Sequence, residues 1–185
     1  MTVPIWMVRH GEASASWAEH ADPGLSELGW SQARATAESL RRHIPEDVQL
    51  ISSPKRRARE TALPLAEQMS IQISINDVFN EIAAPVPLHE RQKWLQAYMG
   101  QTWSDQSPAV LTWRQGIIGA LQAIEKPAVI FSHFLVINAV VAHIRNATET
   151  LQFWPDNGSS HQFAKKSNGE LTLIELGREL STPVN

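Results

Sequence analysis

A chain of 185 residues, 43% of them hydrophobic, is long enough to bury the core of a single globular domain. Its formal charge of -3 excludes a general attraction to nucleic acid or to an anionic membrane, so any affinity for an anion has to be local. The absence of cysteine excludes disulfides, thiolate nucleophiles and cysteine-ligated zinc or iron-sulfur centres. No apolar stretch reaches the length of a membrane span, and MTVPIWMVRH lacks the basic start and small-residue cleavage site of a signal peptide. These features predict a soluble, cytoplasmic protein.

No internal repeat, low-complexity tract or linker divides the chain. The apolar run at residues 4–9 predicts a strand, and it ends abruptly in Arg9, His10 and Gly11. Ala33, Ala37, Leu40 and Ile44 then fall on one helical face, with Ser26 as cap, which predicts a helix over 26–43. VQLIS at 48–52 reads as a second buried strand. Ser53 and Pro54 mark the start of a second helix, whose apolar face runs through Ala58, Ala62, Leu65, Ala66 and Met69, and Pro64 should kink it. Residues 82–115, with APVP, Trp94, Trp103 and Trp113, predict two short helices forming a cap. AVIFSH at 128–133 is a third strand that runs directly into an apolar helix over 134–145. HQFAK and LTLIEL flank KSNG as an antiparallel hairpin.

This alternation predicts one α/β domain, a three-layer sandwich with a mostly parallel central sheet, flanking helices and a small helical cap. Ligands of such sheets collect at the carboxyl ends of the strands. Arg9 and His10, the KRRAR segment, and Ser132 and His133 should therefore share one edge.

Each signal has a plain structural reading. An isolated Arg-His-Gly is as compatible with a surface turn as with a site. Cations in the first turn of a helix oppose its macrodipole, and a solvated face accounts for Lys55, Arg56 and Arg59. Arg57 lies beside the buried alanine face, which favours an anion-binding role. His20, His43, His89, His143 and His161 show no metal-ligand spacing, and HERQK at 89–93 lacks the second histidine of a zinc motif, so no metal is expected.

The ordered set VRHGE at 8–12, GLSELGWSQA at 24–33, SSPKRRARETA at 52–62, NE at 80–81, SH at 132–133 and DNGSS at 156–160 resembles the histidine phosphatase superfamily. That group also holds the cofactor-dependent phosphoglycerate mutases. The resemblance implies that His10 is a nucleophile that becomes phosphorylated and that Arg9 and Arg57 bind phosphate. It also implies that His133 is the second histidine of the phosphate pocket, and that Glu81 is the acid. Two arginines and a protonated His133 would hold the phosphoryl charge without metal or other cofactor. Gly11 would allow a sharp turn and a close backbone approach.

The chain departs from the common pattern at Ala13, Ser14 and Ser16, the last standing where many members have asparagine. Phe134 follows His133 where glycine is usual. Ser16, Trp17 and Phe134 are the expected substrate-pocket residues. The implied function is a metal-independent phosphatase that hydrolyses phosphate monoesters through a phosphohistidine intermediate, on a phosphorylated small molecule or a phosphoprotein. The alternatives are a phosphoglycerate mutase-type phosphotransferase and a noncatalytic phosphate-binding module.

Overall fold

Strand β1 (Thr2–Arg9) organises the sheet because its apolar side chains serve both faces. Ile5 and Met7 join a core cluster on one side, and Trp6 and Val8 join another on the opposite side, as the two-residue period of a pleated strand requires. The structure, a computed structural model, describes residues 2–15 and 20–180; Ser16 and Trp17, expected in the substrate pocket, lie outside the described residues.

Among the described residues six strands form one sheet, in the order β3 (Ile73–Ile75), β2 (Gln49–Ser52), β4 (Ala128–Ser132), β1, β5 (Ser160–Lys166), β6 (Leu171–Glu175). Strands β2, β3 and β4 run parallel with β1. Strand β5 is antiparallel to β1, and β6 completes the hairpin. Gly169, at φ 84°, supplies the left-handed residue of that turn. The sequence pattern did not announce β3. ISI has only three residues, and Ser74 and Ile75 are exposed on an edge strand, so neither length nor alternation marks it.

Helices α1 (Glu27–Arg41) and α2 (Arg56–Met69) cover one face with Ala37, Leu40, Ala62 and Leu65. Ser26 caps α1 as expected, accepting from the Gly29 N–H at 3.0 Å. Helix α2 begins later than Ser53 because that residue is still held as strand: its N–H donates to the Phe131 carbonyl at 3.0 Å. Pro64 is buried inside α2, which continues past it without a break.

Helices α4 (Pro108–Gln122) and α5 (Phe134–Arg145) cover the other face through Ile117, Leu121, Val136 and Val140. Within the stretch expected to be a cap, helix α3 (Arg91–Met99) and the first half of α4 share a separate cluster in which Tyr98, Trp103 and Val110 pack with Leu135 and Ala139, whereas Ile117 and Leu121 of α4, beyond that stretch, join the main core. Trp113 is tied into this side by donating from its indole N–H to the Asn80 carbonyl at 3.0 Å. Among the described residues, no helix is long and apolar enough to cross a membrane.

Candidate active site

The parallel register places Arg9 opposite Ser132, so the next residue on each strand, His10 and His133, meet at the sheet edge. Their rings approach edge to face with centroids 5.3 Å apart. The His10 Nδ1–H donates to the Gly11 carbonyl at 2.7 Å, which leaves the lone pair of Nε2 facing the cleft. The Nε–H of Arg57 donates into that lone pair at 3.1 Å. Burial, then the charges of Arg57 and Arg9, hold the His10 pKa well below its usual value. His10 is therefore neutral at physiological pH, the form a nucleophile needs.

His133 is fixed in the opposite tautomer. Arg57 can only donate, and its Nη2 lies 3.4 Å from His133 Nδ1, so Nδ1 is the acceptor and Nε2 carries the proton. Nε2–H donates to Ser53 Oγ at 2.7 Å, and Ser53 in turn donates to Asn80 Oδ1 at 3.2 Å. Burial and then Arg57 push the His133 pKa well down. Burial and the cations around it thus favour the neutral form, whereas the protonated form is expected with a phosphoryl group in the pocket. A phosphate dianion beside it would act in the opposite direction.

Arg9 and Arg57 converge from β1 and α2. Arg9 donates through Nη1 to the Pro155 carbonyl at 2.7 Å, and its Nε has no hydrogen-bond partner among the described residues. Burial draws its pKa down to about 10, which leaves it charged at neutral pH. Arg57 is 5% exposed, its Nη1 likewise lacks a hydrogen bond, and Asp22 stands 4.0 Å away. A buried donor without a partner costs about 1–3 kcal/mol, so two guanidinium groups left this way mark a place prepared for an anion. The neighbouring cations behave differently. Arg56 is exposed and pairs with Glu60 at 2.6 Å, and Arg59 is exposed, as the solvated-face reading required.

Glu81 lines the same cleft as His10, Arg9 and Arg57. Its carboxylate accepts from the Leu135 N–H at the start of α5 at 3.3 Å and from the Ile82 N–H at 3.2 Å. Burial outweighs these bonds and the nearby arginines and raises its pKa to about 7. Such a carboxyl can hold a proton near neutral pH and release it during a reaction.

Gly11 serves a close approach. A Cβ there would stand 2.6 Å from the Gly29 carbonyl oxygen, while the left-handed glycines are Gly158 and Gly169. The Gly11 N–H donates to Thr61 Oγ1 at 3.0 Å, which ties the nucleophile loop to α2.

Arg9, His10, Arg57 and Glu81 line a cleft of about 550 Å³, and His133, fully buried, contacts them without lining it. Phe134 lines it, with its ring 5.2 Å from Arg9 Cζ and 5.3 Å from the Trp154 ring. Ala13 and Ala15 also line the cleft, whereas Ser14 is exposed. Sequence reasoning gave no role to Ser53, Asn80, Trp154 or Asn157. Asn157 lines the cleft with a buried, unpartnered Oδ1, and its only sequence signal is its place in DNGSS.

Residues 5–170 match the family model of the histidine phosphatase superfamily (branch 1). The chain belongs to the histidine phosphatase superfamily. Its fold is similar to that of a mycobacterial glucosyl-3-phosphoglycerate phosphatase, with TM-score 0.75 and 21% identity over 97% of this chain and 100% of the other. A phosphoserine phosphatase from Entamoeba histolytica gives 0.73 and 17%, covering 95% and 97% of the two chains. Among curated relatives, adenosylcobalamin/alpha-ribazole phosphatase of Salmonella typhimurium is 37% identical over 82 residues, which is 42% of this chain and 40% of the relative. A bifunctional protein of Mycobacterium tuberculosis is 32% identical over 110 residues, 50% of this chain and 29% of that protein. The chain thus spans less than half the length of these curated relatives.

Proposed function

We propose that the protein is a metal-independent phosphomonoesterase working through a phosphohistidine intermediate. The observation that carries this reading is the neutral His10 lining a cleft beside two guanidinium groups with N–H donors unpaired among the described residues; its Nε2 accepts from the Arg57 Nε–H, a bond that passes to the phosphoryl oxygens before Nε2 attacks. In the first step Nε2 forms a bond to phosphorus, the bond from phosphorus to the leaving oxygen breaks, and the Glu81 proton passes to the departing alkoxide. Arg9 and Arg57 hold the charge on the peripheral oxygens, and His133 joins them once that charge favours a proton on its Nδ1 in place of the Arg57 bond. In the second step the Glu81 carboxylate takes a proton from water, whose oxygen attacks phosphorus while the phosphorus–nitrogen pair returns to Nε2. The soluble, cytoplasmic setting and a phosphorylated small molecule as substrate belong to the same reading.

A panel of alkyl phosphates tested with excess chelator should release inorganic phosphate at an undiminished rate and be inhibited by vanadate, which mimics the transferring group. Activity lost on chelation and restored by zinc or magnesium would contradict the mechanism. Return of the phosphoryl group to a second hydroxyl of 3-phosphoglycerate, without phosphate release, would favour the mutase instead.

The Glu81 pKa sets a pH limb. Protonated Glu81 is the acid of the first step, so kcat/KM for an alkyl ester should fall about tenfold per pH unit above about 7. p-Nitrophenyl phosphate, whose leaving group needs no proton, should show little of this limb. Glu81→Gln should remove the limb and cost the alkyl ester about 10²–10⁴-fold while sparing the nitrophenyl ester's first step. An alkyl-ester profile unchanged by Glu81→Gln would exclude it as the acid.

A further inference from the structure

The cleft has two chemically distinct ends. Among the described residues lining it, Arg9 and Arg57 are the only cations, and both are directed to the phosphate end. Residues 16–19 and 181–185 contain no lysine or arginine. Away from the histidines the wall is built of Leu95, Met99, Phe134, Trp154 and Leu180. Its polar members on α3 are Gln92 and Gln96, one helical turn apart and uncharged. Glu12 also lines the cleft and brings a carboxylate to it, held in place by the Ser26 hydroxyl, which donates to Oε1 at 2.7 Å.

We infer that this wall selects phosphate monoesters whose leaving group is uncharged and carries an apolar ring, and rejects phosphorylated carboxylic acids and bisphosphates. This inference rests on the phosphomonoesterase reading and names its substrate class. A phosphate dianion uses both arginines, so a second anion would enter an apolar wall with no countercharge and with Glu12 nearby, which is unfavourable in a partly desolvated site. An uncharged ring instead meets the T-shaped Phe134–Trp154 pair. Phe134 joins the two ends: its ring lies against Arg9 and forms part of the leaving-group wall. The volume is in the range of pockets that enclose a ring-sized or larger ligand. Phe134 and Trp154 are thus specificity-determining residues, and the two glutamines are places where a cation is missing.

The test compares 2-phenylethyl phosphate with the same ester bearing a para-carboxylate on the ring, so that the leaving alkoxides are matched. The wild type should favour the neutral ester in kcat/KM by about 30-fold, equivalent to about 2 kcal/mol. Gln96→Arg, and separately Gln92→Arg, should shrink that preference by about tenfold by raising activity on the carboxylated ester. Trp154→Ala should lower activity on the neutral ester more than on ethyl phosphate, which has no ring to lose. Equal or better turnover of the carboxylated ester by the wild type would overturn the inference and leave the phosphatase reading standing. Failure to release phosphate from either ester or from p-nitrophenyl phosphate would overturn both.

Discussion

Replacing His10 by alanine is expected to lower kcat/KM by at least about 10⁴-fold, the scale on which removal of a nucleophile acts in covalent catalysis. The expectation follows from how the ring is held. Gly11 accepts from Nδ1 and so fixes the tautomer, burial and two arginines suppress protonation, and Arg57 points at the lone pair that would attack. Alanine removes the attacking atom and leaves the Gly11 contact with α1, which involves backbone only. Circular dichroism and thermal melting should therefore report a folded protein. Near-normal hydrolysis by a folded His10→Ala protein would contradict nucleophilic catalysis.

The second large effect concerns the arginine cluster. Arg57→Ala should reduce kcat/KM by about two or more powers of ten beyond Arg56→Ala, a gap of about 3 kcal/mol. A general field would make the two equal, since each removes one positive charge. Arg57, however, reaches both histidines, at 3.1 and 3.4 Å, from a buried position. Arg56 spends its charge on Glu60 at the surface. Arg57→Lys should recover only part of the loss, because an ammonium cannot reproduce the planar fork. Equal, small losses for Arg56→Ala and Arg57→Ala would show that the cluster acts only through its charge.

What the sequence discloses depends on whether a residue's role is set locally. Arg57 could be separated from Arg56 because helical periodicity alone places it beside Ala58 and Ala62, and both alanines are buried. The meeting of His10 and His133 was legible because parallel strands present their carboxyl ends together. Ser26 was legible as a cap for a similarly local reason. Trp154 was not, since it reaches the cleft from a loop more than a hundred residues beyond Arg9 and nothing in its neighbourhood reports it, and Asn157 showed only through its place in DNGSS. Ser53 read as a helix start, and its hydrogen bond to His133 spans 80 positions. The resting protonation of His133 is not legible from residue type, which gives only its capacity for charge, whereas burial and then Arg57 push its pKa well down. Phe134 showed as a departure from a pattern; only its distance to Arg9 reveals that it props the guanidinium.

The most direct measurement is rapid-quench trapping with an alkyl ester carrying radiolabelled phosphate. Stopped within the first turnover by base, the protein should retain label in an acid-labile, base-stable form, and peptide mapping should place it on His10. The label should be absent from His10→Ala, and with Glu81→Gln and a good leaving group it should accumulate, because the base that activates water is gone. A fully active protein that never carries phosphate, or carries it on a residue other than His10, would contradict the account.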